Sequence, residues 1–212
     1  MDLVEKQEGN LNRHPWELSR AENALKMLEA FSGQFADVGA GDIYFATLLA
    51  DKINSDVLAV DIGYDQAGRE GKVLKHTHVD ELEDSSVDCI ILMDVIEHID
   101  DVDSFLKGLM PKLKKGGYFF ITVPAWQFLF SQHDVFLKHY RRYTKKTLKA
   151  TFKDDCYEVK HLFYFYTNLF FARLLSLPLS KLKKQDAEGI GSWGFPEEHG
   201  ITKFIKAVLN AD

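Results

Sequence analysis

Phe35-Ala36-Asp37-Val38-Gly39-Ala40-Gly41-Asp42 leads from an apolar run through an acidic residue into two glycines, and a helix-like segment follows. The glycines let the chain turn sharply and let a ligand approach bare backbone that a Cβ would obstruct. Further on, the apolar run Val57-Leu58-Ala59-Val60 ends in Asp61. A carboxylate at the tip of a neighbouring strand is placed to accept hydrogen bonds from ribose hydroxyls. Together the two stretches read as a nucleoside crevice in a doubly wound α/β sheet.

The rest of the chain supports that architecture. Leu18, Ala21, Leu25, Leu28 and Phe31 recur at helical spacing over residues 17–31. Strands are expected at Gln34–Val38, Val57–Asp61, His76–Val79, Val87–Met93 and Tyr118–Val123, with helices at 43–52 and 102–113 between them. Residues 64–75 are polar and carry no clear period. Val87–Met93 is apolar apart from Asp88, as a strand covered on both faces requires. Pro111 should shorten the last turn of the helix before it, and Lys114-Lys115-Gly116-Gly117 reads as its stop signal. Thr144 is a candidate N-cap for a helix through Phe152. Residues 157–166 are rich in strand formers, and residues 201–209 return to helical spacing. Alternating strands and helices imply parallel pairing with right-handed crossovers, and ligands in such sheets bind outside the carboxyl ends of the strands. Asp37–Gly41, Asp61, Asp80, Asp94 and Pro124 all fall at such ends.

At 212 residues the chain is read as one domain, with 1–33 as a helical lid, 34–124 as the binding core and 125–212 as acceptor-side and C-terminal elements. The first twenty residues carry no apolar signal-peptide region, and Cys89 and Cys156 form no metal or redox motif, so a reduced, cytoplasmic setting is the simplest reading. The formal charge of −6 is unevenly placed. Residues 1–130 hold 12 Lys+Arg against 23 Asp+Glu, while residues 131–212 hold 14 against 9. A neutral or cationic nucleoside site in the first part and an anionic partner near the second would account for this, as would chance. The acidic total and the lack of a long basic-aromatic stripe argue against nucleic acid. Residues 162–179 are strongly apolar and are followed by Lys181, Lys183 and Lys184. Asn168, Arg173 and Pro178 interrupt them, which argues against a membrane span. A weak membrane-surface contact or a lipid-accepting surface is one reading, and a core strand with a covering helix is the other. Gly189–Gly200 reads as a mobile loop. No feature specifies an oligomeric state.

The motifs Asp37–Gly41, Ala59–Asp61, Asp80–Leu82, Val87–His98 and Leu113–Pro124 together resemble the class I S-adenosylmethionine-dependent methyltransferases, over residues 34–124. His14-Pro15-Trp16 with Arg20, Pro124–Asp134 and His139–Thr144 are similar to a bacterial small-molecule subgroup of that family. The resemblance implies a mostly parallel Rossmann-like sheet of six or seven strands and S-adenosyl-L-methionine as cofactor. It implies that Asp37 and the backbone of Gly39, Ala40 and Gly41 hold the methionine part, that Asp61 takes the ribose hydroxyls with Ile62 beside it, and that Val79 and Asp80 border the adenine. Asp94 and Val95 would line the wall near the sulfonium, with Arg20 near the cofactor carboxylate. The chain departs from the family in two places. Ile43 stands where a third glycine is common, and no final strand hairpin is recognisable after residue 166, so the last strand of the sheet is missing or disguised.

Methyl transfer from a sulfonium is an in-line displacement, and a base helps when the acceptor is a hydroxyl. His133, Asp134, His139, Arg141, Arg142 and Tyr143 crowd into eleven positions after the last core strand. His133 or His139 is the candidate base, Asp134 a carboxylate to orient it, and Arg141 or Arg142 the anchor of an anionic or lipid-like small-molecule acceptor, with Tyr143 and Trp126 nearby. The competing reading is structural: Arg142 and Tyr143 pin the loop, and His139 is a satisfied core histidine. His133, Asp134 and His139 also have the composition of a two-His, one-carboxylate metal site, but nothing in their spacing requires a metal and none is assigned. Glu97-His98 serves equally as a cap or as a catalytic pair. The expected activity is methylation of a small molecule, at oxygen. The rivals are a non-catalytic binder of the same fold and an NAD-dependent dehydrogenase, the latter disfavoured by Tyr44 at the third glycine position of Gly-x-Gly-x-x-Gly.

Overall fold

The computed structural model describes residues 12–152, 156–171, 174 and 193–211. The expectations for Arg173, Pro178, Lys181, Lys183, Lys184 and the first part of the 189–200 loop lie outside these residues. Chain contacts divide the molecule into two compact units, Met1–Val4 with Met27–Val123, and Glu5–Lys26 with Pro124–Asp212.

The first unit is built on a six-stranded, mostly parallel sheet: β1 (Phe35–Val38), β2 (Val57–Val60), β3 (Gly68–Glu70), β4 (Val73–His76), β5 (Val87–Met93) and β6 (Leu113–Thr122), in the order β3-β4-β2-β1-β5-β6. Only β3 is antiparallel. The central strands are apolar apart from Asp37 and Asp88 because both faces are covered, and Phe35, Ala36, Val57, Ala59 and Cys89–Leu92 are essentially fully buried. A helix at Tyr44–Ile53 joins β1 to β2, and another at Val102–Leu109 joins β5 to β6. Asp101 caps the second by accepting from the Ser104 amide at 3.1 Å, and its chain continues as a 3-10 turn through Pro111, which ends the α-helix as expected.

Three expectations are corrected here. Residues 64–75 contain the β3–β4 hairpin. Its first strand is wholly exposed and polar, so no alternation announces it, and the strand expected at 76–79 is β4, with a 3-10 turn at Val79–Glu81. Lys114–Gly117 lies within β6 as an irregularity in the pairing, which shifts between Val87↔Leu113 and Cys89↔Tyr118. Gly117 fits closely there: a Cβ would sit 3.0–3.1 Å from the Leu113 side chain and the Lys114 and Asp88 carbonyls. Finally, residues 157–166 form no strand. Their aromatic rings pack on other rings, as Tyr164 does on Trp126, so high strand propensity is spent on stacking. The sixth strand is therefore β3, at an edge of the sheet.

In the second unit, the helix beginning at Pro15 meets the helix Gly200–Leu209 through Glu22, which accepts from Lys206 Nζ at 2.7 Å and Asn210 Nδ2 at 2.9 Å. Thr144 caps the helix Lys145–Thr151, its hydroxyl accepting from the Thr147 amide at 3.1 Å. No helix among the described residues is long and apolar enough to cross a membrane.

The strand order reverses between β1 and β5. Gly39, with φ at +80°, lies there directly after β1, and a Cβ on it would stand 2.6 Å from Val95 Cγ2. Gly39→Ala should cost about 1–3 kcal/mol in overpacking and a further ~1–2 kcal/mol for the left-handed φ. Adding Val95→Ala should restore the first part and leave the second, as read by urea unfolding. A Gly39→Ala variant as stable as the parent would contradict this packing.

Candidate functional site

The parallel pairing carries the ends of β1, β2, β4, β5 and β6 to one edge of the sheet, in the register Val38↔Val60, Val60↔His76 and Met93↔Thr122. Asp37, Gly39, Ala40, Gly41, Asp61, Ile62, Val79, Asp80, Asp94 and Val95 thus gather along the carboxyl edge. The amides of Gly39 and Ala40 both donate to the Val60 carbonyl, at 2.8 and 3.2 Å, drawing the loop toward β2. Asp61 completes the tie: Oδ2 accepts from the Gly41 amide and Oδ1 from the Gly63 amide, each at 2.8 Å. The amides of residues 39–41 are thus all engaged within the protein.

Ile43 holds the position just before the helix Tyr44–Ile53 with φ at +58°, the left-handed conformation that a glycine would take without strain. Its side chain is buried, and that packing holds a β-branched residue in a region costing about 1–2 kcal/mol. Asp94 is also left-handed, at φ +55°. Its amide donates to the Thr122 carbonyl at 3.0 Å, and its carboxylate accepts from Thr122 Oγ1 at 3.3 Å. Val79 and Asp80 lie in the 3-10 turn after β4, where Glu81 accepts from the Thr77 and His78 amides. Glu97 is fully buried in the 3-10 turn Ile96–His98.

Two features of the Asp61 turn stand out chemically. Ile62 is 85% exposed, an apolar side chain at the lip of an otherwise polar edge. Tyr64, whose amide donates to the Asp61 carbonyl at 3.2 Å, has a buried hydroxyl with no hydrogen-bond partner among the described residues. Burial, then the negative charges of Asp61, Asp37, Asp42 and Glu70, push its ionisation far above the ordinary phenol range. Sequence reasoning missed Tyr64 because it falls in the stretch that shows no period.

In the second unit the acceptor-side candidates separate into groups. Asp134 is fully buried, and its two oxygens take five donors: the Ser131 amide at 2.8 Å and hydroxyl at 3.1 Å, His139 Nδ1 at 3.0 Å, and Arg142 Nε at 2.7 Å and Nη2 at 3.0 Å. Burial alone would raise its pKa, but the bonds from His139 and Arg142 outweigh it and hold the carboxyl well below the usual range. Ser131 and Asp134 form a capping box on the helix Gln132–Phe136; the Ser-x-x-Asp spacing was a legible signal for this role. His133 lies half-buried on the same helix. Tyr143 is buried and pairs with Ala125, its amide donating to the Pro124 carbonyl and its carbonyl accepting from the Trp126 amide. Arg141 lies over the Tyr140 ring at 5.6 Å, and Arg20 over Trp16 at 4.4 Å.

The family model described as "Methyltransferase domain" matches residues 19–175. The chain belongs to that methyltransferase family. Among solved structures, phosphoethanolamine N-methyltransferase 2 of Haemonchus contortus, in complex with phosphomonomethylethanolamine and S-adenosylhomocysteine, superposes with a TM-score of 0.57 at 18% identity. That match covers 77% of this chain and 42% of the other, so the chain spans well under half of that enzyme. An S-adenosylmethionine-dependent methyltransferase from Mesorhizobium loti gives 0.55 at 17% identity, covering 74% of this chain and 91% of its own. At such identities the likeness establishes the fold. No curated protein matches the sequence.

Asp134→Ala would leave the half-buried Arg142 and His139 without their shared partner, a loss of about 3–5 kcal/mol. Because the folded pKa is depressed, the stabilisation Asp134 provides is present above its unfolded pKa of about 4 and fades as pH falls below that value. Thermal unfolding across pH 2–7 should show the parent and Asp134→Asn curves converging at the acid end. Parallel curves would show that the network is not what stabilises this unit.

Proposed function

We propose that the chain is an S-adenosylmethionine-dependent methyltransferase that methylates a small-molecule acceptor at oxygen. The observation that carries the cofactor assignment is the Asp61 turn. A carboxylate at the end of β2 is fixed by two backbone amides, an exposed Ile62 follows it, and an unpartnered Tyr64 hydroxyl lies within its field. These residues fit an adenosine. Asp61 retains lone pairs for ribose hydroxyls, Ile62 offers an apolar face to a purine, and Tyr64 has a proton to donate to a neutral oxygen or ring nitrogen.

Electrostatics favours this ligand over a dinucleotide. The first unit carries 8 Lys+Arg against 19 Asp+Glu, and Asp37, Asp42 and Asp61 crowd the edge. Such a field attracts an ammonium and a sulfonium and repels a pyrophosphate. The backbone of residues 39–41 is proposed to hold the methionine end, with Val95 walling the site and Val79 and Asp80 at its adenine side. When bound, the cofactor supplies an electrophilic methyl group. The crystallised complex of the Haemonchus relative with S-adenosylhomocysteine supports the same choice.

For the acceptor, His139 is the favoured base. Its Nδ1 faces Asp134, so in the neutral ring the lone pair resides on Nε2, where a hydroxyl proton can be taken up. Asp134 is then a positioning residue. Arg142 is engaged by Asp134, and Arg141 is the proposed anchor for an anionic acceptor.

Calorimetry should show S-adenosylmethionine binding and no binding of NAD. Asp61→Ala should weaken the cofactor by about 1–3 kcal/mol and Tyr64→Phe about three- to tenfold, each with unfolding measured in parallel. Binding of NAD instead, or unchanged affinity in both variants, would remove the assignment. With hydroxyl acceptors, His139→Ala should slow release of S-adenosylhomocysteine about 10²–10⁴-fold with cofactor affinity retained. Full activity would reject it as the base.

A further inference from the structure

We infer that the second unit carries a docking surface for anionic lipid membranes, centred on Trp126, Phe128, Tyr164, Phe170 and Phe171. The surface stands independently of the cofactor assignment. Fourteen large apolar residues among the described ones are exposed, and twelve of them belong to this unit. The same unit holds 18 Lys+Arg against 13 Asp+Glu, whereas the first unit is strongly acidic. Apolar exposure and positive charge therefore coincide.

The rings form one connected group. Trp126 stacks on Tyr164 with centroids 4.8 Å apart and touches Phe128 at 5.9 Å and Phe170 at 5.6 Å, while Phe170 meets Phe171 at 5.4 Å. Phe128 and Phe171 are 57% and 61% exposed. Cations border the group: Lys145 Nζ lies 4.9 Å from the Tyr164 centroid, and the Lys145 amide donates to the Tyr164 hydroxyl at 3.1 Å. That bond fixes the start of the helix Lys145–Thr151 against the rings, and the helix carries Lys146 and Lys149, both exposed.

Aromatic rings at the boundary of headgroups and acyl chains, flanked by lysines that meet anionic headgroups, are the physical requirements of interfacial binding. A protein partner fits less well, because protein interfaces are depleted in lysine. A second copy would bring two positive units together.

Vesicle sedimentation tests the surface. The protein should pellet with vesicles of phosphatidylglycerol and phosphatidylcholine and stay in solution with phosphatidylcholine alone. Phe128→Ser combined with Phe171→Ser should lower partitioning about tenfold or more, and circular dichroism should show the fold retained. Replacing Lys145, Lys146 and Lys149 with Gln, changes confined to the surface, should cost about fivefold per lysine at low salt. Failure of the parent to bind either vesicle would overturn the inference. So would unchanged binding by the lysine variant, or a lipid-free dimer that the Ser variant dissociates, which would make this face a contact between copies.

Discussion

A single carboxylate ties the carboxyl edge together. Asp61 accepts from Gly41 with one oxygen and from Gly63 with the other, so the loop after β1 and the turn after β2 share one anchor. Each bond is charge-assisted and made to backbone, which gives it more strength and less freedom than a side-chain pair at the surface. The glycine loop depends on this. Its own amides at 39 and 40 are drawn to Val60, and Asp61 is the acceptor that holds the Gly41 amide over the end of the second strand. The exposure of Ile62 and the position of Tyr64 follow from the same turn.

The two units divide the charge. The first is acidic along the edge that the proposed cofactor would use, which suits a ligand bearing an ammonium and a sulfonium. The second is cationic, and its buried Asp134 carboxylate is taken up by Arg142, His139 and a helix cap. This arrangement sorts the cluster that sequence left undivided. Asp134 and Arg142 bond to each other and Tyr143 bonds to the loop backbone, and the proposed chemistry of this region is assigned to His139 and Arg141.

The core strands were legible because burial on both faces leaves an unbroken apolar signature; Val87–Met93 was read to the residue. The helix Gly200–Leu209 was equally plain from its spacing, and Tyr44–Ile53 from the glycine loop that opens it. The β3–β4 hairpin was not, since an exposed edge strand of Gly68, Arg69 and Glu70 has no apolar face to display. Residues 157–166 misled for the opposite reason: β-branched and aromatic residues favour any half-buried surface, and here stacking on Trp126 supplied one without a neighbouring strand. At the site, the acidic strand tips were visible as breaks in apolar runs. Tyr64 was invisible because what sets it apart is a buried hydroxyl without a hydrogen-bond partner among the described residues, which no sequence pattern encodes.

Everything proposed for the active site requires adenosine to lie against the turn that Asp61 organises. Amide chemical-shift mapping during titration with S-adenosylmethionine examines this most directly, with NAD as the control ligand. The account predicts saturable shifts concentrated at Gly41, Ile62, Gly63, Tyr64 and Val95, and none with NAD. Shifts confined to other surfaces, or the same pattern produced by NAD, would contradict it.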